Sequence, residues 1–173
     1  MATNLRYLKE FEFEATEEVS EILCTDAFIS GFDIYAVYIT KMDPTVQTYS
    51  YIRLLDSSNN SIGDSEYAYA QMDMSSSTTS FSNSKHNSST AWANIDIGGT
   101  DDAKNIGHIF YVFNPESSST YTYAIGQSAG YTSVGYGTKW IGVHKSAEQI
   151  KGIRYYRGSG NMNNINIKIF GVK

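Results

Sequence analysis

Cysteine occurs once, at Cys24, and proline twice, at Pro44 and Pro115. A lone thiol excludes an intrachain disulfide and cannot build a thiolate zinc site. It also removes the Cys–Trp–Cys signature that would favour an immunoglobulin sandwich. No apolar run approaches the ~20 residues of a membrane-spanning helix, and the opening MATNLRYLKEFEFEA carries no signal-peptide apolar region. Neither an integral membrane protein nor a secretory precursor is expected. Helical periodicity is also missing, because Leu, Ala, Glu and Lys never hold a 3.6-residue period over three turns. Basic charge is in deficit, with 13 Lys and Arg against 18 Asp and Glu and a net charge of −5. With a pI near 5.1 and no basic stripe interleaved with aromatics, nucleic acid is not an expected partner. There is no glycine loop of the kind that cradles phosphates.

What the chain does contain is apolar and aromatic material, at 41% and 14%, including 14 Tyr and 8 Phe. That suffices for a core and excludes wholesale disorder. Its 173 residues suit a single domain over residues 1–173. Period-two patterns recur. Ile165, Ile167 and Ile169 alternate with Asn164, Asn166 and Lys168, and Lys9, Phe11 and Phe13 alternate with Glu10, Glu12 and Glu14. In Phe32–Thr40 both faces are apolar, and in Ile109–Phe113 every residue is. Such strands are expected to sit centrally, one face in the core and the other under a loop or a partner subunit.

Further strands are predicted near Gln47–Leu55, Glu66–Met72, Ala91–Ile97, Tyr121–Ile125, Lys139–His144 and Ile150–Tyr156, joined by turns rich in Ser, Asn, Asp and Gly. About ten strands with hardly any helix predict an all-β domain, a jelly-roll-like β-sandwich; a closed barrel is the alternative. The low-complexity stretch Ser75–Ser89 reads as an exposed loop, or else as an arm that orders against a neighbouring subunit. Residues 16–26 could hold a helical turn.

Few residues suggest chemistry. Gly126-Gln127-Ser128-Ala129-Gly130 has the spacing of a serine nucleophile elbow, but the following YTSVGYGTK cannot begin the helix that elbow needs. A small-residue β-turn accounts for it better, and no catalytic residue is assigned. His86, His108 and His144 lie far apart without a neighbouring carboxylate cluster, and read as surface or satisfied histidines. Asn94, Asp96, Asp101 and Asp102 offer hard oxygen ligands that could hold a calcium ion, although EF-hand spacing is missing. No cofactor or metal is assigned. The sequons at Asn59 and Asn87 read as chance matches in Ser/Asn-rich loops.

Charge is unevenly distributed. Residues 1–34 hold eight acidic residues against Arg6 and Lys9, whereas residues 139–173 hold seven basic ones against Glu148. Solvated faces would account for this. So would complementarity between terminal strands of one domain or between subunits, with Glu10, Glu12 and Glu14 facing Arg154, Arg157 and Lys168.

The C-terminal third carries a recognisable pattern. Ile150-Lys151-Gly152-Ile153-Arg154-Tyr155-Tyr156 is followed by Ser159-Gly160-Asn161-Met162 and by the final Ile165–Lys173. Together with Phe110–Pro115, Ser117–Thr122 and the Asp33-Ile34-Tyr35 segment, it resembles the small jelly-roll virion proteins of tailed bacteriophages. Those scaffolds serve as capsid decoration (cement) proteins and as tail-fibre tip domains. The resemblance implies a non-enzymatic protein made in the host cytoplasm and located in the virion. The first strand begins almost at Met1, with no shaft or coiled coil before it, which favours a decoration protein. Its expected partners are the major capsid protein and further copies of itself, as a trimer. The alternative is a tail-associated receptor- or carbohydrate-binding module, with Tyr131, Tyr136 and Trp140 offered for stacking on sugars.

Overall fold

The computed structural model describes residues 4–14, 17–96, 98, 100 and 105–173. Among these there is no helix and twelve strands, all paired antiparallel. They are β1 (Leu5–Glu12), β2 (Glu21–Cys24), β3 (Ile34–Pro44), β4 (Ser50–Leu55), β5 (Tyr67–Ser75) and β6 (Ser82–Ser89), then β7 (Ile106–Phe113), β8 (Thr122–Tyr131), β9 (Gly135–His144), β10 (Gly152–Arg157), β11 (Met162–Asn163) and β12 (Asn166–Val172). The large sheet runs β1-β12-β3-β7-β8-β9-β5-β6, with β11 beside β3, and the small sheet runs β2-β10-β4. The fold is a β-sandwich.

The pairing is nested, as in a jelly roll. β1 pairs with β12, β2 with β10 and β3 with β7, while β4 exchanges two backbone bonds with Trp92 across the Ile52–Trp92 bridge. A long antiparallel ribbon wound on itself gives this order, since its successive pairs land alternately in the two sheets. The hairpins β5–β6 and β8–β9 interrupt the ribbon and extend the large sheet beyond β7.

The period-two pattern explains which face each strand buries. Tyr35, Val37 and Ile39 of β3 enter the core with Phe110 and Val112 of β7, Ile167 and Ile169 of β12, and Ile153 and Tyr155 of β10. In β1 the register shifts between Tyr7 and Lys9. The extra residue moves Lys9 and Phe11 opposite the inward Ile169 and Ile167, which is why the alternation reads cleanly only from Lys9 onward.

Three expectations need correction. Ser75–Ser89 is not a loop throughout, because Ser82–Ser89 forms the edge strand β6 against β5. Its side chains are almost all exposed on both faces, so hydrophobic alternation could not mark it. Residues 21–24, expected near a helical turn, form β2, since Ile22 and Cys24 bury inward against β10. Ala91–Ile97 forms no regular strand: Trp92 and Ile95 bond to the backbone of β4, and Ile97 lies outside the described residues.

Two tryptophans fill the core between the sheets, each seated on a glycine. A Cβ built on Gly126 would lie 2.6 Å from the Trp140 ring, and one on Gly142 would lie 2.6 Å from that of Trp92. Gly142→Ala should therefore cost about 1–3 kcal/mol by overpacking. Gly107→Ala, where nothing lies within 4 Å, should stay near wild type. Urea midpoints of the two variants check this; equal midpoints would refute the seating argument.

Candidate functional site

The strand registers place side chains on the outer face of the large sheet in rows. One row reads Leu5, Val172, Ile34, Phe113, Tyr123, Val143, Ala68. The next reads Tyr7, Phe170, Ala36, Tyr111, Ile125, Ile141, Ala70, ending at Lys85 of β6. Before Lys85, no residue of either row is charged. Seven strands at about 4.8 Å spacing make this strip about 29 Å long. Ile141 is 57% exposed, Ile125 49%, Tyr123 43% and Tyr111 37%, so the strip faces solvent over β7–β9, whereas Ala36 on β3 is buried. The third row, Glu10, Lys168, Tyr38, Ile109, Gln127, Lys139, Met72 and Asn83, is mixed and supplies a polar rim. Between the second and third rows lies a groove of about 700 Å³, lined by Ile109, Tyr111, Ile125, Gln127, Lys139 and Ile141. A long apolar strip with a polar rim is the form of a protein-contact surface. The apolar second face read from Phe32–Thr40 and Ile109–Phe113 forms part of it, and among the described residues no loop covers the exposed side chains.

The charged residues expected at an interface are largely used within the domain. Lys168 lies 3.4 Å from Glu10 across β12 and β1. Glu10 also accepts a bond from Asn166, and these two contacts hold its carboxyl below the ordinary value. Arg154 pairs with Glu21 across β10 and β2 and lies over the Tyr156 ring at 4.5 Å. Arg157 offers nothing to a partner surface, for its guanidinium is buried. Glu12 and Glu14 stand at or beyond the end of β1, with Glu12 opposite Asn166. Of the expected pairings Glu10–Lys168 forms, whereas Arg154 takes Glu21 and Arg157 takes Asp96 instead.

Arg157 belongs to a polar cluster between the sheets. Its Nη1 donates to Asp96 Oδ1 at 3.2 Å and to Ser50 Oγ at 2.7 Å, and its Nη2 donates to the Thr48 carbonyl. Tyr155 donates to Asp96 Oδ2 at 2.5 Å. His108 Nδ1 lies 3.5 Å from the same oxygen, and Trp140 Nε1 donates to His108 Nε2 at 3.0 Å. Burial pushes the Asp96 carboxyl up, but His108 and Arg157 outweigh it and hold it below the ordinary value. Burial, reinforced by Asp96, drives the Tyr155 hydroxyl far up. Asp96 is therefore not free for the calcium site suggested with Asn94, and Asp101 and Asp102 lie outside the described residues.

Ser128 is not in a turn. Gly126–Gly130 lies in the second half of β8, with Ser128 opposite His108 on β7 and Thr138 on β9. Ser128, His108 and Asp96 then stand in the order of a nucleophile, base and acid, but the Trp140 N–H occupies the nitrogen that would take the serine proton. Of the three residues offered for sugar stacking, Trp140 is 2% exposed and packs on Phe110 and Trp92, so it cannot meet a ligand. Tyr131 is exposed, and Tyr136 lines a second groove of about 400 Å³ with Phe81, Asp73, Ser80 and Ser82. Sequence reasoning missed Phe81, whose only neighbours in the sequence are serines. It also placed His108 and His144 as surface or satisfied groups. Both are buried: His108 is satisfied between Trp140 and Asp96, whereas His144 has an Nδ1 without a hydrogen-bond partner.

Compared with known proteins, the chain matches no protein-family model and no curated protein sequence.

Asp96→Asn leaves the Arg157 charge buried without its counter-ion and should cost about 3–5 kcal/mol at neutral pH, read from urea unfolding. The Asp96 carboxyl titrates lower in the folded chain than in the unfolded one. Its contribution is then present above about pH 4 and is lost as pH falls through the folded value. A wild-type acid limb that the Asp96→Asn variant reproduces in full would contradict this.

Proposed function

We propose that the chain is a non-enzymatic bacteriophage virion protein, a capsid decoration subunit that binds the outer capsid surface and self-associates as a trimer. The observation that supports this reading is the exposed apolar strip across the outer face of the large sheet. A chain of net charge −5 repels its own copies, and contact between them needs a face free of carboxylates. The two apolar rows provide such a face, and self-association through them would bury Tyr111, Tyr123, Ile125 and Ile141. The pattern of the C-terminal third, with its resemblance to phage jelly-roll virion proteins, supplies the particle. Decoration would act by mass action: a subunit that binds only the mature lattice raises the free energy needed to open the shell.

The double variant Ile125→Glu/Ile141→Glu alters only exposed side chains, so its fold should survive, as circular dichroism would verify. Light scattering should give a trimer for wild type and a monomer for the variant. Cosedimentation with mature empty capsids should fall at least tenfold. A variant that binds capsids as wild type does would sink the proposal. In purified particles, copy number on the scale of the major capsid protein is expected.

The second reading, a tail-associated receptor- or carbohydrate-binding module, draws on the groove at Tyr136, where an aromatic pair stands beside Asp73 and serine hydroxyls. It gives a glycan-array signal that Tyr136→Ala abolishes, together with copy number on the scale of tail components.

A further inference from the structure

At the opposite end of β9 from Tyr136, three side chains from separate segments converge. His144 ends β9, Asp64 lies between β4 and β5, and Glu148 lies between β9 and β10. Their donor atoms all fall within 4.8 Å of one another. His144 is fully buried, and its Nε2 faces Asp64 Oδ1 at 3.4 Å, too long for a good hydrogen bond. Its Nδ1 has no partner. The nitrogen turned towards the carboxylates is Nε2, and its long contact leaves it weakly satisfied by the protein alone. The Tyr67 ring, 4.7 Å from the imidazole, packs against it. The adjacent Lys145 turns its ammonium to the Asn87 carbonyl at 2.6 Å, while the Arg53 guanidinium lies beside Gly63, the residue before Asp64.

We propose that Asp64, His144 and Glu148 bind a divalent transition-metal cation of the zinc class. Ligands at 2.0–2.2 Å from a tetrahedral ion lie about 3.3 Å apart. Asp64, 44% exposed, and the half-buried Glu148 have freedom to close that gap around the fixed imidazole. Two carboxylates neutralise the ion's charge, and the imidazole nitrogen selects zinc over calcium, which prefers oxygen donors. The fourth position opens to water beside Asp64. The ion would clamp the β4–β5 loop to the segment that carries the chain from the large sheet into β10.

The test uses untagged full-length protein stripped with EDTA and then dialysed free of it. Zinc at about a hundredfold above its Kd should raise Tm by about 5–10 °C with one ion bound per chain, whereas calcium should not. The double variant Asp64→Asn/Glu148→Gln keeps His144 and similar side-chain volumes, so its metal-free Tm should match wild type while the zinc shift disappears. No saturable shift in wild type would overturn the proposal, as would an undiminished shift in the variant.

Discussion

The Asp96–Arg157 pair is the constraint on which the sandwich depends. Both side chains are fully buried, so neither charge has water to fall back on, and each exists only because the other is in place. The pair gathers strands from both sheets and an irregular segment. Arg157 ends β10 opposite Ser50, the first residue of β4, and its guanidinium also holds the carbonyls of Thr48 and Val46. Asp96 extends from the segment that bridges to β4 at Trp92, and His108 connects the pair to β7 and, through Trp140, to β9. A buried ion pair is weak evidence for net stability, since its desolvation offsets most of the attraction. Its effect here is geometric. A one-residue slip of β10 on β4 would carry Arg157 to the other face of the small sheet and strand Asp96.

That fixed centre gives the large sheet its shape. The nested ribbon alone would end the sheet at β7, but β8, β9 and β5 continue it with their inward residues on the same core. Trp140 and Trp92 lie across this extension, and the glycines beneath them allow strands without bulk where the rings lie flat. Each strand that buries large residues inward presents its alternate residues outward. In β7, β8 and β9 those alternates are Tyr111, Tyr123, Ile125 and Ile141 rather than the polar residues usual on a solvated face. The rigidity of the core thus keeps the outer rows in line, and a flat contact surface needs that alignment.

Much of this was legible in the sequence, and the failures have physical causes. Alternation over Ile165–Ile169 and apolar pairs of faces in Phe32–Thr40 marked strands because burial imposes period two. It gave no register, so it could not show that Tyr111, Ile125 and Ile141 stand side by side. β6 escaped because an edge strand exposed on both faces needs no apolar residue. Asp96 looked like a loop ligand because its partners, Tyr155 and Arg157, lie about sixty residues away. His144 looked isolated for the same reason, with Asp64 contributed by a loop eighty residues earlier. The charge asymmetry of the termini was legible; that it pairs β1 with β12 and β2 with β10 required the topology.

The serine-rich segment then acquires a physical role that its composition alone concealed. A large sheet exposes two edges, and each unpaired edge is a template for another chain. β6 occupies one of them with SNSKHNSS, whose hydroxyls, Lys85 and His86 offer little apolar surface to a neighbouring strand. The imidazole of His86 stacks on Tyr69 at 5.0 Å, holding the strand to β5 despite its lack of buried side chains. The apolar row of the outer face stops at Lys85. Association through that edge would set hydrated polar groups against each other, whereas association through the face would bury aromatic and aliphatic side chains. The sequence thereby discourages open-ended strand addition and leaves the face as the surface from which burial energy is available.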